Sequence, residues 1–375
     1  MLSKLTLKNF KCYKSQDIHF SGLTVFSGIN GAGKSTVIQA ILFLRQLAFA
    51  GPSKDEDDNP VADLNGPLVQ FGSMYDLISS WITAAEEEII EFSACDSNGE
   101  CYSVSLKSPE KRDEEDFPPR QMRIFDKGNP ISCIRSTDFV YLSAERFGPR
   151  ISFDVPSENA QLNKFGAAGE FTAWHICNAK KVKNEKLLAR LREPEQKDFL
   201  SQLNNCYSDL GRETRISVQY LPMVEKISLA FAFYGAAAWS KDFRPVNVGF
   251  GLTYTLPIFT ALLAANENDL IIIENPEAHL HPKGQVAIGM FIAKAAAAGI
   301  QVVVETHSDH VLNGIRLAVK KGSIPNTSVM LNFVTNRNNG EGATILSPKI
   351  MENGRIDEWP DGFFDEYENV LAELF

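Results

Sequence analysis

No segment of the 375 residues is long and apolar enough to read as a membrane span. The opening MLSKLTLKNFKCYKS has no hydrophobic core, and later apolar stretches are broken by polar residues. Neither a secretory leader nor an anchor is expected. The six cysteines, Cys12, Cys95, Cys101, Cys133, Cys177 and Cys206, include no CxxC pair, and a chain of this size needs no disulfide staple. Free thiols in a reducing, cytoplasmic setting are expected. Basic charge is also short: 37 Lys and Arg stand against 47 Asp and Glu, a formal net charge of -10. That argues against a uniformly basic surface wrapping nucleic acid and leaves room for a local basic patch. Histidines with zinc spacing are missing too. His175 stands alone, and His279 and His281 lack Cys partners or a third histidine, so a turn or an interface explains them better than a metal. Ser308 lies outside any GxSxG elbow. With 44% hydrophobic and 22% charged residues, the composition is that of one large or two moderate globular domains.

Against these absences stands SGINGAGKST, Ser27 to Thr36, which contains the full GxxxxGK[ST] spacing from Gly28 through Ser35. Gly28, Gly31 and Gly33 allow a tight turn without a Cβ in the way. The backbone N–H groups of Asn30, Gly31, Ala32, Gly33 and Thr36, with the start of the next helix, can then face an anion. Lys34 brings a positive charge to terminal phosphates, and Ser35 offers an oxygen to a magnesium ion. The apolar LTVFSG before the loop reads as a strand, and TVIQAILFLRQLAFA after it as a helix. A nucleoside triphosphate site is predicted.

The rest of the chain reads in order. Residues 1 to 28 alternate as strands, with Phe10, Lys11 and Tyr13 at a candidate nucleotide-facing edge where one aromatic could stack on a base, although ordinary core packing and a solvated lysine explain them better. After an acidic break at 51 to 60, NGPLVQFGSMYDLI places Gln70 as a candidate for binding magnesium or orienting water. Residues 87 to 95, 101 to 106 and 121 to 126 suggest a strand meander. FVYLSAERFGPR runs from a buried strand into Glu145, Arg146 and Arg150, read as salt bridges or as phosphate or subunit contacts. Residues 151 to 225 read as a short helical insertion or lid without sustained heptads, which excludes a long coiled-coil arm.

Strand-like patterning then resumes, and NVGFG, Asn247 to Gly251, opens an apolar helix near Thr253, a second turn suited to an anion. NDLIIIENPEAHLHP delivers Glu274, a candidate magnesium carboxylate, and Glu277, a candidate proton acceptor, to the end of a buried strand. IQVVVETHSDH repeats the construction and offers His307 as a γ-phosphate sensor. Residues 328 to 358 read as a terminal strand meander, followed by an acidic amphipathic segment.

Taken together, GINGAGKST, NVGFG, IIIENPEAHLHP and VVVETHSDH resemble the ABC-type ATPases of the SMC, RecF and OLD grouping. NGRIDEWPDGFFDE at 353 to 366 further resembles the small AAA-family ATPases with a C-terminal DUF3696 region, among them anti-phage defence ATPases. The resemblance implies an α/β ATPase head with a mixed sheet, a phosphate-loop core, an antiparallel β meander and a short helical insertion or lid. On this reading the head comprises 1–150 and 226–327, the insertion 151–225, and the DUF3696-like region 328–375.

The resemblance also implies an ATP- and Mg²⁺-dependent head-to-head dimer, with Asn247, Gly249 and Gly251 acting across the interface. Gln70 corresponds to the Q-loop residue, Glu274 to the Walker B acid and His307 to the switch histidine. Asn275 occupies the place normally held by a catalytic glutamate, so slow hydrolysis, or participation of Glu277, is expected. The implied output is control of a separate effector or nuclease in anti-phage defence, by the dimer or by a larger assembly of it. A RecF-like ATPase at DNA ends and a nucleotide-dependent scaffold with little hydrolysis are the alternatives. The stretch after His307 is too short for the Toprim nuclease domain that many OLD proteins carry, and membrane transport is not expected.

Overall fold

The computed structural model describes residues 1–55, 58–79, 89–107, 120–156, 162–336 and 342–360. The acidic amphipathic segment at the carboxyl end and the second half of NGRIDEWPDGFFDE lie outside these residues.

Leu2–Phe10 (β1) and Tyr13–His19 (β2) form an antiparallel hairpin, and Leu23–Gly28 (β3) leads through the phosphate loop into Lys34–Ala50 (α1). Ser53–Lys54 (β4), Pro60–Asp63 (β5), Ile89–Asp96 (β6), Cys101–Lys107 (β7) and Gln121–Lys127 (β8) follow, then Ser132–Arg135 (α2) and Val140–Leu142 (β9). The middle holds Phe153–Asp154 (β10), Thr172–Asn178 (α3), Glu185–Leu188 (α4), Phe199–Asp209 (α5), Thr214–Leu221 (β11), Lys226–Gly235 (β12), Ala238–Trp239 (β13) and Phe250–Ala264 (α6). Leu270–Glu274 (β14), Pro282–Ala297 (α7), Gln301–Glu305 (β15), Asp309–Lys320 (α8), Val329–Asn336 (β16) and Ala343–Leu346 (β17) complete the described elements.

Among the described residues the strands make three sheets. A seven-stranded sheet runs β2-β1-β6-β7-β8-β5-β4, a six-stranded sheet β17-β16-β3-β15-β14-β9, and a small one β10-β12-β11 with β13 beside β12. In the six-stranded sheet β16, β3, β15, β14 and β9 are parallel and β17 is antiparallel. Near-continuous apolar runs suit strands covered on both faces. Successive side chains divide accordingly: Leu270, Ile272 and Val303 enter the core that includes α1 and the seven-stranded sheet, while Ile271, Ile273, Val302 and Val304 enter the core shared with α6, α7, α8 and the small sheet. The parallel arrangement also brings the ends of β3, β14 and β15 to one sheet edge, where a ligand can be met by several strand tips.

Four features differ from the sequence reading. The stretch 151–225 is only partly helical: its last strand, β11, pairs along its length with β12 across the expected boundary. Helix α6 begins at Phe250, three residues before Thr253, because Gly249 leaves extended backbone at the cap. Strand β16 is a central-sheet member beside β3 rather than part of a separate terminal meander. Finally, Cys95 and Cys101 form a disulfide, since the β6–β7 turn sets them opposite each other with Cα atoms 4.0 Å apart. The other four cysteines are free.

Candidate nucleotide site

The phosphate loop has the backbone its glycines imply. Gly28, Gly31 and Gly33 take φ of 139°, 76° and 113°. A Cβ at Gly28 would meet the Val334 carbonyl oxygen at 2.2 Å, and one at Gly33 would meet Cys12 Sγ at 2.4 Å. Helix α1 follows with no side-chain cap at Gly33 and no acidic residue in its first turn, so its positive end is uncompensated by its own residues. Lys34 is buried and curls back, its Nζ donating to the carbonyls of Gly28 at 2.9 Å and Ile29 at 2.8 Å. Desolvation holds its ammonium below the usual lysine range, partly offset by Glu305. A cleft of about 320 Å³ opens here, lined by Lys11, Cys12, Asn30, Gly31, Gly33, Lys34, Ser35, Thr36, Gln39, Glu305 and His307.

The turn between β1 and β2 supplies Lys11 and Cys12 to this cleft, but Phe10 and Tyr13 are fully buried and cannot stack on a base. Phe10 packs edge-on against Phe71 and Phe92, and Tyr13 donates its hydroxyl hydrogen to the Gly33 carbonyl at 3.1 Å. The two aromatics thus support the loop from behind. Gln70 is exposed, bridged to Asn65, and is not among the cleft-lining residues.

The carboxylates are arranged differently from their order along the sequence. Glu274 accepts the Tyr141 hydroxyl at 3.0 Å on Oε1 and the Ala144 N–H at 3.1 Å on Oε2. Burial raises its pKa, moderated by these two donors and by Arg146. Ser35 Oγ instead donates to Glu305 Oε1 at 2.9 Å. Glu305 stands opposite Glu274 in the β14–β15 register. Burial, and then the Glu274 charge, push its pKa up to about 7.

Glu305 was missed in reading the sequence, although VVVE repeats the IIIE pattern that pointed to Glu274. Glu277 accepts the Thr306 hydroxyl at 2.7 Å and the His307 N–H at 2.8 Å, which fixes the turn after β15. His307 lies at the cleft rim, and partial burial with nearby Lys34 lowers its pKa, favouring the neutral imidazole. Asn275 takes φ 44° and donates its N–H to the Glu305 carbonyl at 2.8 Å.

Arg146 is buried and bonded to four backbone carbonyls: Ser143 at 3.0 Å, Glu274 at 2.5 Å, Asn275 at 2.6 Å and Tyr254 at 3.2 Å. It ties the end of β14 to α6. Arg150 lies over the Phe147 ring. Asn247 and Gly249 are exposed before α6, whose first turn has neither a side-chain cap nor an acid. A Cβ at Gly251 would meet the His279 carbonyl at 2.6 Å, and none of these three residues lines the cleft of its own chain.

Three other histidines have packing or capping partners. His279 contacts Phe250 and Tyr254, His281 caps α7, and His175 stacks on Phe165 with Nε2 2.8 Å from the Lys164 carbonyl. Among the described residues, no group of three or more His, Cys, Asp or Glu is placed to hold a metal. Magnesium is held differently, by a few protein oxygens together with phosphate and water, and Ser35 with the adjacent carboxylates fits that chemistry.

A phosphate loop at the edge of a mixed sheet, with carboxylates at neighbouring strand tips, fits the fold of an ABC-ATPase-like head. Residues 23–313 match the family described as "AAA domain, putative AbiEii toxin, Type IV TA system", and the chain belongs to it. Residues 324–374 match "Protein of unknown function (DUF3696)".

The chain is similar to the OLD nuclease of Thermus scotoductus, 23% identical over 348 residues and covering 82% of this chain and 59% of that protein. It is also similar to the DNA replication and repair protein RecF of an Arthrobacter species, 28% identical over 186 residues and covering 46% and 44%. The alignments thus span about half the length of these relatives. In fold it is similar to an Smc head domain with an extended coiled coil, bound to the C-terminal domain of ScpA derived from Pyrococcus furiosus. The TM-score is 0.50 at 14% identity, covering 100% of this chain and 99% of the other. Among the described residues, no helix is long and apolar enough to cross a membrane.

Proposed function

We propose that the chain binds ATP with Mg²⁺ in the phosphate-loop cleft and hydrolyses it slowly, as a dimeric switch that controls a separate effector. The observation that carries this reading is the geometry of Lys34, a buried ammonium held at the uncapped start of α1 with Ser35 beside it. Loop N–H groups and Lys34 bind the phosphates, while Ser35 and Glu274 serve the metal, whose charge neutralises the phosphate oxygens. His307 stands ready to hydrogen-bond a terminal phosphate, and Glu277 positions it. The exposed Asn247 and Gly249, with the half-buried Gly251 in the first turn of α6, supply the missing face from a second copy. Control of a nuclease or another effector in anti-phage defence is the output this family membership favours.

Light scattering with ATP, ADP and no nucleotide tests the dimer. ATP should double the mass and ADP should not. An unchanged monomer with ATP bound would refute the composite site.

One observation favours a DNA-associated reading: Lys164, Lys180, Lys181 and Lys183 line a second cavity of about 380 Å³ with His175 and Asn178. Hydrolysis stimulated by DNA, and declining as salt rises, would select it. Asn275 at the position of the usual catalytic acid favours a binding-only scaffold, which tight ATP binding without phosphate release would select.

A further inference from the structure

We propose that Glu305 is the metal-facing carboxylate of this site, holding Mg²⁺ together with Ser35, while Glu274 supports it from the neighbouring strand. The inference rests on the nucleotide reading above and assigns a residue which that reading does not use.

Three observations converge on Glu305. Its Oε1 accepts the hydroxyl hydrogen of Ser35, the loop residue whose oxygen is expected to meet the cation. Its Oε2 is buried with no hydrogen-bond partner among the described residues, in a side chain that is only 5% exposed and lines the cleft. A buried carboxylate oxygen without a donor is costly, and a cation in the cleft removes the cost.

Glu274 offers the contrast, because both of its oxygens already accept hydrogen bonds, from Tyr141 and Ala144. The register explains how both acids serve one site: side chains opposite each other on adjacent parallel strands project from the same face, about 4.8 Å apart at the backbone. The two negative charges repel in the absence of a counter-ion, and a divalent cation beside Ser35 compensates both. The polar tip of β15 therefore also supplies an acid to a site in which position 275 carries Asn.

Mn²⁺ binding to the ATP-loaded protein, followed by electron paramagnetic resonance, tests the assignment without reference to turnover. Glu305→Gln should weaken Mn²⁺ binding by about tenfold or more. The conservative Glu305→Asp, a methylene shorter, should give an intermediate loss. It also serves as the test variant if the glutamine protein does not fold. Unchanged Mn²⁺ affinity in the folded variants overturns the proposal, even where turnover is lost. Failure of wild type to bind ATP, with or without Mn²⁺, overturns the nucleotide reading itself. Binding by wild type with no effect at position 305 overturns only the role of Glu305.

Discussion

The Glu277 carboxylate receives the backbone N–H of His307 at 2.8 Å and the hydroxyl of Thr306 at 2.7 Å, so an acid 30 residues upstream fixes the turn that presents the candidate sensor. Glu277→Ala should lower kcat by roughly 10- to 100-fold through misplacement of His307. ATP affinity should stay near wild type, because the phosphate loop does not use Glu277. Glu277→Gln, which keeps one acceptor for the His307 N–H, should recover part of the rate. A glutamine variant with unaltered turnover and an alanine variant equally unaltered would refute the positioning role.

Removing Lys34 takes away a charged donor buried at the phosphate loop. Lys34→Ala should weaken ATP binding by roughly 10- to 100-fold, the range set by a lost hydrogen bond to a charged group. Titration with a fluorescent ATP analogue reads this directly. Affinity equal to wild type would place the nucleotide elsewhere.

Gly28→Ala combines a φ of 139° with a Cβ 2.2 Å from the backbone oxygen of Val334. Neither strand can yield, because β3 and β16 are paired on the same ladder. The cost should be at least about 1–3 kcal/mol, measured as a lower midpoint in urea with the slope unchanged. A wild-type midpoint would contradict the close packing of the loop on β16.

Stability should fall on acidification through His175. Burial lowers its folded pKa below the ordinary 6.5, so the native state binds fewer protons than the unfolded chain. The contribution is present above pH 6.5 and is lost as the pH falls from there towards the folded pKa. Comparing Tm at about pH 7.5 and about pH 5.5 should show a smaller decline for His175→Gln than for wild type. Equal declines would assign the acid sensitivity to other groups.

Much of the site was legible because its chemistry is local. The phosphate loop needs glycine, lysine and serine at fixed spacing, and β14 and β15 announce themselves as unbroken apolar runs between polar ends. Glu274 and His307 could be placed at strand tips for that reason. Glu305 escaped because its importance depends on β15 lying between β3 and β14, an order of pairing that no local pattern records. The same holds for Tyr141 and Ala144, which reach Glu274 from 133 and 130 residues away along the chain. For Phe10 and Tyr13 the sequence leaves core packing and a ligand-facing edge both open, because an aromatic beside a loop has the same signature either way, and the structure places both in the core. The Cys95–Cys101 pairing likewise follows from hairpin register rather than from a motif.

The Arg146 guanidinium gives the molecule a mechanical joint. Its bonds to the Tyr254 carbonyl on one side and to the Glu274 and Asn275 carbonyls on the other leave no slack between the first turns of α6 and the tip of β14. Displacing α6 alone would leave one N–H of this buried guanidinium without its acceptor, at a cost of about 1–3 kcal/mol. The first turns of α6 are therefore tied through one side chain to the strand tip that carries Glu274.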